Sequence, residues 1–370
     1  IDGTKSSNAI TIDAAAATTT KILLSEQADT VTTMALVTGT GVVVNGLGGI
    51  DNITTGAATG TFSIDGGTGN DVIDASASTK NNTIIGGDGD DSITAESGNS
   101  NISGGAGNDT FNLAGNLTSI DTIAGGDGTD TISVTAATLD AAFTKVTTVE
   151  NLTIAGAAIG LTLGSIAQAA GVTTATFGAA GTVETITVGA GFTNALTVVA
   201  NDPTKADVVA AAAYTGALTV KTAAATGLGA TGTFTGGTGT TDTITYDLTA
   251  GAVTQAGSAT ITAFEKINTS GATTNALSVT LDNANVAAAA TLTIDGSALT
   301  TGVLTVVATA EADGNVIVLG GGAADLITGS ASTLGDNLSG AAGNDTFTMA
   351  GNLTSIDTIA GGDGTDTISV

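Results

Sequence analysis

A nine-residue pattern opening Gly-Gly-x-Gly-x-Asp returns about every twenty residues, and this rhythm constrains the fold more than any other feature of the chain. It reads GLGGIDNIT at 46–54, GGTGNDVID at 66–74, GGDGDDSIT at 86–94, GGAGNDTFN at 104–112 and GGDGTDTIS at 125–133. It returns as GGGAADLIT at 320–328, GAAGNDTFT at 340–348 and GGDGTDTIS at 361–369, while GGTGTTDTIT at 236–245 fits with one residue inserted. Between loops lies a second short apolar run, such as Thr83 to Ile85 or Ile120 to Ile123. Each period therefore holds two short strands, one after the glycine loop and one after a plainer polar loop. Ile73, Ile93, Phe111, Ile132, Ile327, Phe347 and Ile368 are predicted to face inward. So short a unit cannot bury its own apolar side, and successive units must stack. One such loop alone is an ordinary turn with an Asx hydrogen bond. Its glycine rhythm also mimics dinucleotide-binding loops, but no amphipathic helix follows. Eight copies in register make an array.

The array is duplicated. AGNLTSIDTIAGGDGTDTISV stands at 114–134 and again, unchanged, at 350–370, and the chain reads as a window of a longer tandem array. A fainter echo links FTKVTTVENLTIAGA at 143–157 with FEKINTSGA at 264–272. The expected fold is all-β, an elongated parallel β-roll or β-helix solenoid with one short inserted helix. That helix is predicted from Asp202 as N-cap and Pro203 at the first helical position, running to Tyr214 and stopped by Gly216. Five segments are expected: 1–45, an N-terminal β segment or cap; 46–134, the first set of loops; 135–235, an Ala/Thr/Val-rich solenoid without them; 236–317, a solenoid opened by the degenerate loop; and 318–370, the second copy.

Composition removes most chemistry. The chain has no His, Cys, Trp or Arg, which excludes zinc sites, thiol chemistry and Ser-His or Cys-His nucleophile pairs. A net charge of −27 argues against nucleic acid as a partner. Asn151 to Val183 carries no charge, yet Gly, Thr, Ser and Gln interrupt it throughout, so no transmembrane segment is expected. Sugar-stacking aromatics are scarce, so an enzyme acting on polysaccharide is not expected either. What remains is carboxylate, and 28 of the 34 acids are Asp. That bias points to calcium, a hard ion that takes about six to eight oxygens, many of them backbone carbonyls. Glycine lets a loop turn its carbonyls inward through positive φ at low steric cost. Stacking at about 4.8 Å brings the Asp of one loop near the next, where the two repel unless a cation lies between them.

These loops resemble the calcium-binding β-roll of the RTX (repeats-in-toxin) family, and the surrounding Ala/Thr/Val/Gly tracts with ENLTI-like strands resemble RTX-bearing bacterial surface-layer proteins. The resemblance implies that Asp71, Asp91, Asp109 and Asp130, and likewise Asp325, Asp345 and Asp366, give carboxylates to calcium ions shared between turns. Asp51 and Asp242 match less well, because Leu47 takes a glycine position and the loop of Asp242 carries an insertion. The loop of Asp325 has Ala323 where the pattern wants glycine. Asp88, Asp90, Asp127 and Asp363 fill variable positions, where they tune affinity or face water. Asp140 reads as an idle surface acid.

The expected function is that of a calcium-dependent structural protein, secreted to the bacterial cell surface. It would assemble with itself as a lattice or filament, with cell-surface polysaccharide as a further partner. The alternative is the repetitive stalk of a large RTX adhesin.

Overall fold

The computed structural model describes all residues except 1, 3–10, 14–20, 33–40, 56, 58–59, 79, 96–98, 100, 114–116, 157, 179–182, 201–204, 223–226, 229–231, 240, 259 and 350–352. They form two units, Ile1–Ala175 and Thr176–Val370, and each is a coil of parallel strands. Parallel strands need a crossover between neighbours. Here the rest of each coil turn supplies it.

In the first unit one wall stacks Lys21–Leu23, Val42–Asn45, Phe62–Thr68, Thr83–Asp88, Asn101–Ala106, Thr122–Asp127 and Val146–Thr147 in parallel register. The other stacks Asn52–Thr54, Val72–Asp74, Ser92–Thr94, Thr110–Asn112, Thr131–Val134 and Asn151–Ile154. Each of these strands sends an apolar side chain inward at the same place, and the register lines these up as Ile53, Ile73, Ile93, Phe111, Ile132 and Leu152, all 0% exposed. Ile64, Ile84, Ile102 and Ile123 form the column of the opposing wall. Full burial of one such side chain stabilises by about 1.5–3 kcal/mol. The glycine loops join the end of the first wall to the start of the second, so the fold stacks them one above another.

The second unit repeats the plan. Leu196–Ala200, Leu218–Thr222, Thr243–Asp247, Lys266–Ser270, Thr291–Asp295, Asn315–Leu319, Asn337–Ala342 and Thr358–Asp363 run in parallel register. Further parallel stacks run through Thr185–Val188, Val208–Ala210, Thr233–Thr235 and Ile261–Thr262, and from Val253–Gln255 to Thr367–Ser369. Ile327 and Phe347 are buried as predicted, whereas Ile368, paired with Phe347, is 52% exposed.

Two sequence readings need correction. Asp202 and Pro203 lie outside the described residues, but the run expected to continue their helix holds the strand Val208–Ala210. Its β-branched Val208 and Val209 favour a pleat, and burying Val209 alone fixes an alternation that no helix shares. Tyr214 is buried edge-on against Phe192 and donates its hydroxyl proton to the carbonyls of Asn194 and Ala217. The short helices lie elsewhere, a 3-10 turn at Asp140–Lys145 and an α-helix at Ser165–Ala169. Asp140 is not idle. Its half-buried carboxylate accepts the amides of Gly164, Ile166 and Ala167, serving from the preceding turn as the cap that Gly164 cannot provide. Asp140→Ala should lower the unfolding free energy of the first unit by about 1–2 kcal/mol, the usual loss for a helix cap. Urea denaturation at constant calcium would check this.

Candidate metal centre

The last residue of each glycine loop is a rung in a ladder. The amide of Asp29 donates to Asp51 Oδ1 at 2.7 Å, and those of Asp51, Asp71, Asp91 and Asp109 donate to Oδ1 of Asp71, Asp91, Asp109 and Asp130 at 2.7–2.9 Å. The amide of Asp130 donates to Glu150 Oε2 at 2.9 Å. In the second unit the amide of Asp325 donates to Asp345 Oδ1 at 2.7 Å and that of Asp345 to half-buried Asp366 Oδ1 at 3.0 Å. One carboxylate oxygen per rung is thus committed to the backbone of the turn before it.

The other oxygen is the informative one. Oδ2 of Asp51, Asp71, Asp91, Asp109, Asp130 and Asp345 is buried without a hydrogen-bond partner. It rests on the first glycine of its own loop: a Cβ on Gly86 would collide with Asp91 Oδ2 and lie 2.6 Å from the Gly104 carbonyl oxygen of the next turn. Orphaned buried carboxylate oxygens cost more than almost any other polar group. Burial pushes the carboxyls of Asp51 and Asp91 up to about 7 and that of Asp109 to about 6, from 3.8; an amide hydrogen bond opposes the shift, and neighbouring carboxylates add to it. Burial likewise raises Asp71 and Asp130.

The loop backbone decides which rungs stay open. The fourth loop position takes φ of +103° to +136° at Gly49, Gly69, Gly89, Gly107, Gly128, Gly343 and Gly364, a region close to glycine's alone. The second position takes φ of +105° to +125° at Gly67, Gly87, Gly105, Gly126 and Gly362, and moves to +69° and +72° where Leu47 and Ala341 occupy it, at a cost of roughly 1–2 kcal/mol. Ala323, at a fourth position, has no positive φ. Its loop closes so that Asp325 accepts the amides of Leu304 and Gly321, one on each oxygen, both at 2.8 Å. The inserted residue in the 236–242 loop has the same result, since Asp242 accepts Leu218 and Gly237 at 2.8 and 2.5 Å. Asp51 is open despite Leu47 because its fourth position is Gly49.

Asp88 and Asp127 stand exposed at the third loop position, in register with Thr68 and Ala106, and Asp363 is exposed beside Ala342. None of them joins the buried ladder. Asp90, at the fifth position, belongs to an outer ladder in which Asn70 accepts the amide of Asp90 and Asp90 that of Asn108. Sequence reasoning missed the rungs at Asp29, Glu150, Glu265 and Glu184. Their signal is an acid directly ahead of a short strand. Glu184 and Asp207 repeat the ladder bond without a glycine loop, and here the protein carries its own cation: buried Lys205 donates to the Gly178 carbonyl, whose amide donates to Glu184.

Among the described residues no three acidic side chains converge on one point. A cation in these loops must therefore draw most of its oxygens from main-chain carbonyls, with one or two carboxylates. A set of hard oxygens around a buried, unbalanced carboxylate fits calcium and does not fit zinc. Asp51, Asp71, Asp91, Asp109, Asp130 and Asp345 have the free oxygen to hold it. A family model described as the RTX calcium-binding nonapeptide repeat matches four stretches, 63–79, 76–111, 118–135 and 354–369. No curated protein matches the chain. The open rungs extend beyond the matched stretches to Asp51 and Asp345, while the two closed loops lie outside them.

Two outcomes are expected. Asp51, Asp91 and Asp109 have folded pKa values above the 3.8 of the free group, so folding without a cation takes up protons. In chelator the first unit should be most stable below about pH 4 and lose stability as pH rises through 6 to 7, whereas calcium affinity should rise over the same window. Thermal unfolding with and without calcium at each pH would show the crossing. Second, Gly87→Ala and Gly89→Ala should both destabilise the first unit, because each glycine has φ above +120° and a Cβ would collide with a backbone carbonyl oxygen of the preceding turn. Gly89→Ala should lose at least one bound ion, which equilibrium dialysis would count.

Proposed function

On the footing that this chain is an RTX calcium-binding repeat β-roll, we propose that it is a calcium-dependent structural protein of the bacterial cell surface, self-assembling as a lattice or filament. The column of buried, unpartnered Asp oxygens carries this reading, because the fold keeps them only at a cost that a cation relieves. Asp51, Asp71, Asp91, Asp109, Asp130 and Asp345 are the proposed ligands, with Asp366 beside them. Asp242 and Asp325 serve as backbone anchors. Exposed Asp88, Asp127 and Asp363 set the local potential that draws cations in. Extracellular calcium, often millimolar, fills sites of the weak class that cytosolic calcium leaves empty. At −27 bare copies repel one another, and each bound ion cancels two charges. The absence of His, Cys and Arg from the sequence, with a core filled by aliphatic columns, supports a structural rather than catalytic role. Among the described residues no helix is long and apolar enough to cross a membrane.

Sedimentation of the purified chain across a calcium series, with magnesium as the control, tests the reading. Large assemblies should form with calcium and dissolve in chelator. A chain that binds calcium yet stays monomeric at saturation would instead favour the adhesin stalk.

A further inference from the structure

Two turns outside the nonapeptide pattern stack on glycine loops in the same way. Val146 to Glu150 follows the loop of Asp130, with Val146 and Thr147 paired to Ile123 and Ala124. Ile261 to Glu265 follows the loop of Asp242, with Ile261 and Thr262 paired to Phe234 and Thr235. The third residue of each has positive φ, +51° at Thr148 and +59° at Ala263. The fourth, Val149 or Phe264, is buried. The glutamate accepts the amide of the preceding rung, Glu150 from Asp130 at 2.9 Å and Glu265 from Asp242 at 2.7 Å. In both, the left-handed residue aims its carbonyl at the first glycine of the loop, where a Cβ on Gly125 or Gly236 would strike it.

The two turns differ in what faces them. Asp242 has spent both oxygens on amides. Asp130 keeps Oδ2 buried and unpartnered, and that oxygen and the Thr148 carbonyl converge on the same Gly125. The Asp130 amide donates to Glu150 Oε2, which sets the two carboxylates at one place in the stack, and among the described residues neither forms a salt bridge with a lysine.

We propose that Asp130, Thr148 and Glu150 form a boundary site for a divalent, oxygen-ligated cation that ends the ion column of the first unit. Asp130 Oδ2, the Thr148 carbonyl and the Glu150 carboxylate supply its protein oxygens. The Glu265 turn is the same cap made without an ion. Glu150 is thus a ligand outside the nonapeptide pattern, and the inference rests on the calcium reading above.

The test compares Glu150→Gln with Glu265→Gln in the full chain, since glutamine keeps an oxygen for the amide and removes the charge. Calcium titration by calorimetry should show Glu150→Gln losing one ion, or binding one at least tenfold more weakly, while Glu265→Gln binds as the parent does. Equal behaviour of Glu150→Gln and the parent, or equal weakening by both substitutions, overturns the proposal. Hydrogen exchange on the unsubstituted chain supplies a readout independent of either variant's folding. Protection of 146–154 should fall in chelator and that of 261–270 should not; calcium-independent protection of both overturns the site. A parent chain that binds no calcium overturns the calcium reading itself, an outcome distinct from the others.

Discussion

Stacking turns at the spacing of a parallel sheet forces like side chains to lie over like, about 4.8 Å apart. For isoleucine this is the cheapest way to build a core, and the columns through Ile64 and Ile73 exploit it. For aspartate the same geometry is hostile, because each rung brings a charge into the reach of the next and out of the reach of water. The chain meets that conflict by giving each carboxylate two separate tasks. Oδ1 ties a rung to the backbone of the turn before it, and Oδ2 waits for a positive charge.

Three solutions to the same conflict occur in one sequence. In the open glycine loops the remaining oxygen is free for a calcium ion. In the loops of Asp242 and Asp325 the backbone folds inward and satisfies both oxygens with amides. Beside Glu184 a lysine brings the charge, and its field offsets part of the burial that raises the Glu184 carboxyl. The ladder bond is common to all three.

The repeating parts were legible because period and chemistry coincide in them. The inward Ile and Phe of the covered turns and the stacked positions of the loop aspartates followed from register and glycine placement. What escaped lies where one residue type serves another purpose. An Ala-rich run after an Asp-Pro pair imitates a capped helix, and only the burial of Val209 between neighbouring turns makes it a strand. Asp140 caps a helix begun 25 residues later, a relation set by stacking and invisible to local pattern. Glu150 and Glu265 share a similar run of sequence, but their meaning depends on whether the aspartate above them is already satisfied.

The difference between the second and fourth loop positions gives such an array a discrete vocabulary. A substitution at the second position changes a turn by degrees, as Leu47 and Ala341 show. The loop with Ala at the fourth position, Ala323, leaves both oxygens of its aspartate bonded to amides and its strands still paired. Lineages that copy and drift such repeats can therefore subtract ions one at a time, by single codon changes, without redesigning the coil. Under the calcium reading, the number of ions such a coil takes up would be a heritable, countable trait.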